Sequence, residues 1–376
     1  MKANTGSTMK PNSFLNTRRV GTASQPAKRL VNLVGMSRGL FVLVIAFSAT
    51  MFAQQAIDPP AAPVLDHLRH AVKSLDKTVP FYRDVLGLPL SYTRDPLAQK
   101  PQPLDEGMSR FTATQGASFR AAVFRIPGAN FGWELTEFTG VARKAGRFEI
   151  QDPGSATLAL MVRDIDKVVA RLKAAGTTIV TAGGAPINPT GNPTSKMREI
   201  VLRDPDGFFV ELQQPDPLPA GVPPEGDVLG GSVQLSIDDT EKSVGFFQAA
   251  IGFEARPSSP WGTNDTVLKL IGLRGAQWRI THGAIPGLTA DLALIEYKGV
   301  PRHKRVMSAA DPGSPAFTMM VWDLDAAVER WKAAGGTVIS TGGAPVKLPG
   351  EAGNILVRDI NGFVWELFTI AKLRRL

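Results

Sequence analysis

The feature that most constrains this chain is an internal duplication. Asp152-Pro153-Gly154-Ser155 recurs as Asp311-Pro312-Gly313-Ser314, and Asp164-Ile165-Asp166 recurs as Asp323-Leu324-Asp325. Lys173-Ala174-Ala175-Gly176 and Gly183-Gly184-Ala185-Pro186 recur as Lys332-Ala333-Ala334-Gly335 and Gly342-Gly343-Ala344-Pro345, all at one offset of 159 residues. Arg203-Asp204, Gly207 and Glu211 then match Arg358-Asp359, Gly362 and Glu366 at an offset of 155, so a loop has lost four residues and the frame resumes. Self-similarity on this scale means one folded unit used again. The copies span 61–215 and 228–370, joined by a stiff segment at 216–227 that holds Pro217, Pro219, Pro223 and Pro224.

Each copy splits again into two similar halves. In the first half a strand over 64–72 leads into a helix that starts after Ser74 and carries Leu75, Val79, Tyr82 and Leu86 on one face. Pro80 should weaken that helix. In the second half a strand over 156–162 leads into a helix capped by Asp164, with Ile165, Val168, Val169 and Leu172 on its buried face and Gly176 as its stop. Three short strands follow each helix, and Asp204-Pro205-Asp206-Gly207 forms the last turn. The expected fold class is α+β, with four strand-helix-strand-strand-strand (βαβββ) units enclosing cavities.

Residues 1–60 stand apart. They hold seven basic residues against Asp58 alone, while the rest of the chain has 35 Lys and Arg against 33 Asp and Glu. Six of the eight net positive charges therefore lie in the leader, and a body with a net charge of only +2 has no electrostatic claim on nucleic acid. Arg38, the apolar run from Leu40 to Phe47 and the small residues up to Ala53 form a signal-peptide pattern over about 36–53, with Met36 as the expected true start. This predicts a secreted or periplasmic protein without a stable membrane span after cleavage. No cysteine is present, which excludes thiolate chemistry, cysteine-bound zinc and disulfides.

Two segments carry a resemblance. Leu65-Asp66-His67 with Phe81-Tyr82-Arg83-Asp84-Val85-Leu86-Gly87-Leu88, and Asp204-Pro205-Asp206-Gly207-Phe208 with Glu211-Leu212, resemble the opening and the close of a vicinal oxygen chelate module. This is the superfamily of glyoxalase I, extradiol dioxygenases and bleomycin-resistance proteins. The resemblance implies paired βαβββ units around a cavity, with metal ligands from the first and last long strands of each unit. Carried over by position, the first copy offers His67, Glu134, Thr157 and Glu211, and the second Ser232, Ala293, Ala316 and Glu366. One imidazole and two carboxylates suit a divalent Fe, Mn, Ni or Zn ion with open positions for a bidentate substrate.

The resemblance implies a glyoxalase-like lyase or isomerase acting on a small substrate with adjacent oxygens, with Glu211 as catalytic base. A non-catalytic small-molecule binder of bleomycin-resistance type and an extradiol-dioxygenase-like enzyme are the alternatives. Which units pair stays open. Pairing of the first unit with the second gives His67, Glu134 and Glu211, and pairing of the first with the fourth gives His67, Glu134 and Glu366. The short proline linker favours local pairing, and hence Glu211. The bland readings are a satisfied core histidine at His67 and Arg-paired carboxylates at Glu211 and Glu366. His70 falls on the opposite face of the strand and is expected at the surface. The chain is expected to work as a monomer, since it already contains four units.

Overall fold

The computed structural model describes residues 64–91, 95–285, 287–288, 291–348 and 352–369. The expected signal peptide lies outside them. Among the described residues, no helix is long and apolar enough to cross a membrane.

The first unit comprises β1 (Val64–Ala71), α1 (Leu75–Pro80), β2 (Gln102–Pro103), α2 (Glu106–Thr112), β3 (Ser118–Arg125) and β4 (Gly132–Thr139). The second comprises β5 (Ala156–Val162), α3 (Ile165–Ala174), β6 (Thr178–Ile179), β7 (Arg198–Arg203) and β8 (Phe209–Gln214). The third comprises β9 (Val228–Ile237), α4 (Thr240–Ile251), β10 (Glu254–Ala255), α5 (Asp265–Leu270), β11 (Gln277–Ala284) and β12 (Leu292–Lys298). The fourth comprises β13 (Pro315–Met320), α6 (Leu324–Ala333), β14 (Thr337–Val338), β15 (Val346–Leu348), β16 (Ala352–Arg358) and β17 (Val364–Thr369).

The helices form where the apolar period predicts them. In α3, Asp164 Oδ1 accepts from Lys167 N at 3.0 Å, and Ile165, Val168, Val169 and Leu172 are buried. Its repeat α6 has Asp323 as cap and buries Leu324, Ala327, Val328 and Trp331. The first helix differs from expectation. The Ser74 side chain makes no cap bond; Glu137 Oε2 accepts the Leu75 amide instead, at 2.7 Å from a neighbouring strand. The α-helix ends at Pro80, and the chain continues in a wider π-type turn over Phe81–Val85, because proline has no N–H to continue the α ladder.

The sheets settle how the units pair. One sheet runs β14-β16-β17-β13-β1-β4-β3-β2, with β15 on β16, and the other β10-β11-β12-β9-β5-β8-β7-β6. The first unit thus pairs with the fourth, and the second with the third. At the two seams β1 runs antiparallel to β13 (Leu68 opposite Phe317) and β5 antiparallel to β9 (Ala159 opposite Ser232). This corrects the expectation of local pairing. The short linker does favour neighbours in sequence, but the neighbours that it joins are the second and third units.

What the first and second units share is the helix-side core. Tyr82 of the first unit donates to Asp204 of the second at 3.0 Å, and Thr78 Oγ1 to Asp206 at 2.6 Å. The same tie recurs between the third and fourth units, where Ser243 Oγ and the Asp238 amide meet Asn361 Oδ1. Trp133, Trp331 and Trp365 are fully buried in this core. Gly207 and Gly362, in the turns that present these groups, have φ of +88° and +104°, which other residues adopt only under strain.

Candidate active site

Alternation along β1 sends Leu68 and His70 to the helix side and His67 and Arg69 to the opposite face of the sheet. Parallel pairing of β1 with β4 sets Arg69 beside Glu134, and pairing of β13 with β17 sets Thr318 beside Glu366. Four ionisable side chains thereby share one enclosed face. His67 Nε2 lies 2.9 Å from Glu134 Oε2, and His67 Nδ1 lies 2.7 Å from Asp66. Arg69 Nη1 lies 3.5 Å from Glu366 Oε2. Glu366 also accepts from Thr318 Oγ1 and Asn354 Nδ2, both at 3.2 Å.

Electrostatics follow from this geometry. Burial by itself would lower the pKa of His67, but the Glu134 and Asp66 carboxylates outweigh it and hold it at about 10. Burial would raise Glu134, and the His67 imidazolium, aided by Arg69, pulls it below the usual carboxylate range. Glu366 moves the other way. Its burial prevails over Arg69 and His67, and its pKa is raised. Two carboxyls on one face are thus pushed apart in acidity.

Glu211 is elsewhere. It sits on β8 in the other sheet, so the set His67, Glu134 and Glu211 does not converge; Glu366 takes the expected place of Glu211 beside the first unit. Thr157 is likewise in the other sheet, and the corner facing His67 and Arg69 from β13 is Ala316. Glu211 Oε1 and Oε2 accept from Gln213 and Gln234 at 2.7 and 2.8 Å. Beside them lies a cavity of about 470 Å³ lined by Ala159, Met161, Gln213, Ser232, Gln234 and Ala293. Its positions equivalent to His67 and Glu134 are Ser232 and Ala293.

Burial and the neighbouring Glu211 push Glu199 up to about 9, and burial raises Glu211 as well. A carboxyl raised from 4.5 to about 9 on folding keeps a proton that the unfolded chain releases. Stability is therefore expected to fall as pH rises through that window, by up to about 1.4 kcal/mol per pH unit for one proton. Urea unfolding at stepped pH should show the slope in the native protein and a flatter one in Glu199→Gln. Equal slopes would refute this assignment.

His70 is fully buried, which corrects its expected surface position. The face of β1 opposite His67 is covered by helices, and His70 packs between Trp133 and Phe208. Among the described residues, the group whose candidate metal-donor atoms all lie within 4.8 Å of one another is His70, Asp204 and Asp206. By distance this trio could hold a cation. Its oxygens are already engaged: Asp204 Oδ1 accepts the amides of Asp206 and Phe208, and Oδ2 the Tyr82 hydroxyl. Asp359 organises the same turn in the second copy, taking the Asn361, Gly362 and Phe363 amides, where Leu235 replaces His70. The trio therefore reads as a fold-building turn.

The His67 face fits a divalent cation by its donor chemistry. An imidazole whose Nδ1 is held by a carboxylate presents Nε2 in the orientation that metal-bound histidines adopt. Glu134 and Glu366 supply two hard oxygens.

The comparisons agree with the fold. The family model described as Glyoxalase/Bleomycin resistance protein/Dioxygenase superfamily matches residues 64–212. A 2-epi-5-epi-valiolone epimerase from an Actinomyces species is 30% identical over 165 residues, which cover 44% of this chain and 84% of that protein. The chain belongs to the glyoxalase/bleomycin resistance/dioxygenase superfamily. Members of this superfamily usually bind a divalent metal and act on or bind small molecules. The lactoylglutathione lyase of Arabidopsis thaliana is 26% identical over 186 residues, covering 50% of this chain and 53% of that one, so the chain spans about half the length of that relative. In structure, glyoxalase I from Zea mays superposes with a TM-score of 0.51 at 19% identity, over 82% of this chain and 92% of that one. That likeness shows the tandem superfamily fold.

Sequence reasoning named His67 and Glu134, preferred Glu211 to Glu366 as the third ligand, and missed Arg69 and Glu199. Arg69 was within reach: it lies two residues after His67 on a strand, which puts it on the same face. Glu199 had no such signal, because its place beside Glu211 depends on the register between β7 and β8.

Proposed function

We propose that the His67 face is the active site of a glyoxalase-like enzyme that transfers a proton on a small substrate with two adjacent oxygens. The supporting observation is that His67, Glu134 and Glu366, from β1, β4 and β17, share one face of one sheet, against Ser232, Ala293, Thr157 and Glu211 on the other sheet; among the described residues their donor atoms do not all lie within 4.8 Å of one another, as those of His70, Asp204 and Asp206 do. His67, Glu134 and Glu366 would hold the divalent cation, which when bound polarises the substrate oxygens and stabilises negative charge on them. Asp66 orients the imidazole. Thr318 and Asn354 orient Glu366, the carboxyl suited to take up and return a proton at the carbon beside those oxygens. Side-chain exposures of 14% for His67, 10% for Glu134 and 9% for Glu366 mean that little water reaches the reacting atoms. The related lactoylglutathione lyases and the epimerase favour this reading over ring cleavage, for which the second imidazole is replaced by Ala316.

Metal analysis of the purified protein tests the proposal. One divalent ion per chain is expected, largely lost in His67→Ala. A metal content that His67→Ala leaves unchanged would refute it. We also propose export directed by the segment at 36–53. An uncleaved product confined to the cytoplasm would count against that.

A further inference from the structure

Arg69 has no role in holding the cation, yet it is one of the most enclosed charges in the molecule. Its residue exposure is 5%. It spends Nη1 on a single long contact with Glu366, at 3.5 Å. Its Nε and Nη2 are buried and have no hydrogen-bond partner among the described residues. Orphaned donors on a buried cation are costly, and native structures rarely keep them without a reason.

The two orphaned atoms are adjacent. Nε and Nη2 form one edge of the guanidinium plane, with two parallel N–H groups at the spacing of a carboxylate's oxygens. Opposite Arg69 across the seam stands Ala316, a small buried side chain that offers the guanidinium no polar partner. Arg69 is also particular to the first unit. The equivalent positions are Thr318 in the fourth unit, Ala159 in the second and Gln234 in the third, as their pairing with Glu366, Glu211 and Ala293 shows. The fold therefore does not require a cation there.

We infer that Arg69 is the anchor for an anionic group of the substrate, a carboxylate received side-on by Nε and Nη2, and that it sets the enzyme's preference for 2-oxo or 2-hydroxy acids over their neutral analogues. This rests on the active-site assignment proposed above and adds a substrate class to it. The carboxylate would sit next to the oxygens beside His67 and Glu134, since Arg69 and His67 are two residues apart on one face of β1. In a space closed to solvent, such a charge-assisted pair is stronger than it would be in water.

The test compares two probes of one shape, pyruvate and pyruvamide, which differ in a carboxylate against a neutral amide. Binding to the full chain is measured by ligand-observed NMR, with divalent metal supplied and again in excess chelator. The native protein is expected to prefer pyruvate by at least about tenfold, the scale of one charge-assisted pair. Arg69→Met should bring that ratio close to one. Arg69→Lys, which keeps the charge but not the fork, should fall between them and serves if the Met variant does not fold.

No preference for pyruvate in the native protein, or an unchanged ratio in either variant, would overturn the inference. A preference that depends on Arg69 and persists in a chain binding no divalent ion would leave Arg69 standing and remove the metal-dependent reading. Metal bound through His67 with no preference for the anion would do the reverse.

Discussion

Glu366→Gln is expected to lower divalent-cation affinity by about 10–100-fold or more, while Glu211→Gln leaves it close to native. The two residues are repeats of one another and occupy the same place in their units. Only Glu366 shares a sheet with His67 and Glu134, because β17 reaches β1 through β13. The substitution keeps the side chain's shape, and an amide oxygen is a much weaker ligand than a carboxylate for a hard divalent ion. Thr318 and Asn354 can still bond to a glutamine, so the fold should survive and metal loss can be assigned to the lost charge. Titration against a competing chelator gives the affinities. The opposite pattern, with Glu211→Gln defective and Glu366→Gln normal, would mean that the first and second units share the site. Small, equal effects would mean that no ion is held at either place.

Asp204→Ala is expected to destabilise the protein by about 3–5 kcal/mol. The carboxylate is completely buried. It receives the amides of Asp206 and Phe208 at 2.8 and 2.9 Å and the Tyr82 hydroxyl at 3.0 Å, with His70 Nε2 also 3.0 Å away. Its removal leaves several buried donors without an acceptor, each costing about 1–3 kcal/mol, and the costs overlap because the turn can relax. The Tyr82 and His70 contacts join the first unit to the second unit's turn, so their loss loosens the packing between the two sheets. Chemical denaturation measures the change. A loss below about 1 kcal/mol would show that the turn is held by its glycine and by packing alone, and would reopen the reading of His70, Asp204 and Asp206 as a cation site.

Much of the fold was legible before any coordinates. The duplication, the cap at Asp164, the helical period of Ile165, Val168, Val169 and Leu172, and the turn at Asp204 are all local patterns, and local patterns depend on residues a few positions apart. His67 and Glu134 were likewise placed by strand position, and the structure brings them within 2.9 Å. The opening of the first helix was misread for a related reason. Ser74 has the right residue type for a cap, but Glu137 from β4 reaches the Leu75 amide first, and nothing near Ser74 in sequence announces it.

The sequence by itself determined four like units, their strand and helix phases, and which residues face a cavity. Only the tertiary structure decided which cavity. The four units expose similar strand edges, so β1 could pair with β5 or β13 with nearly the same backbone hydrogen bonds. The choice comes from summed packing across the whole molecule, between side chains hundreds of residues apart. That sum seats β1 against β13, brings Glu366 to the face that carries His67 and Arg69, and leaves Glu211 with two glutamines in the other sheet.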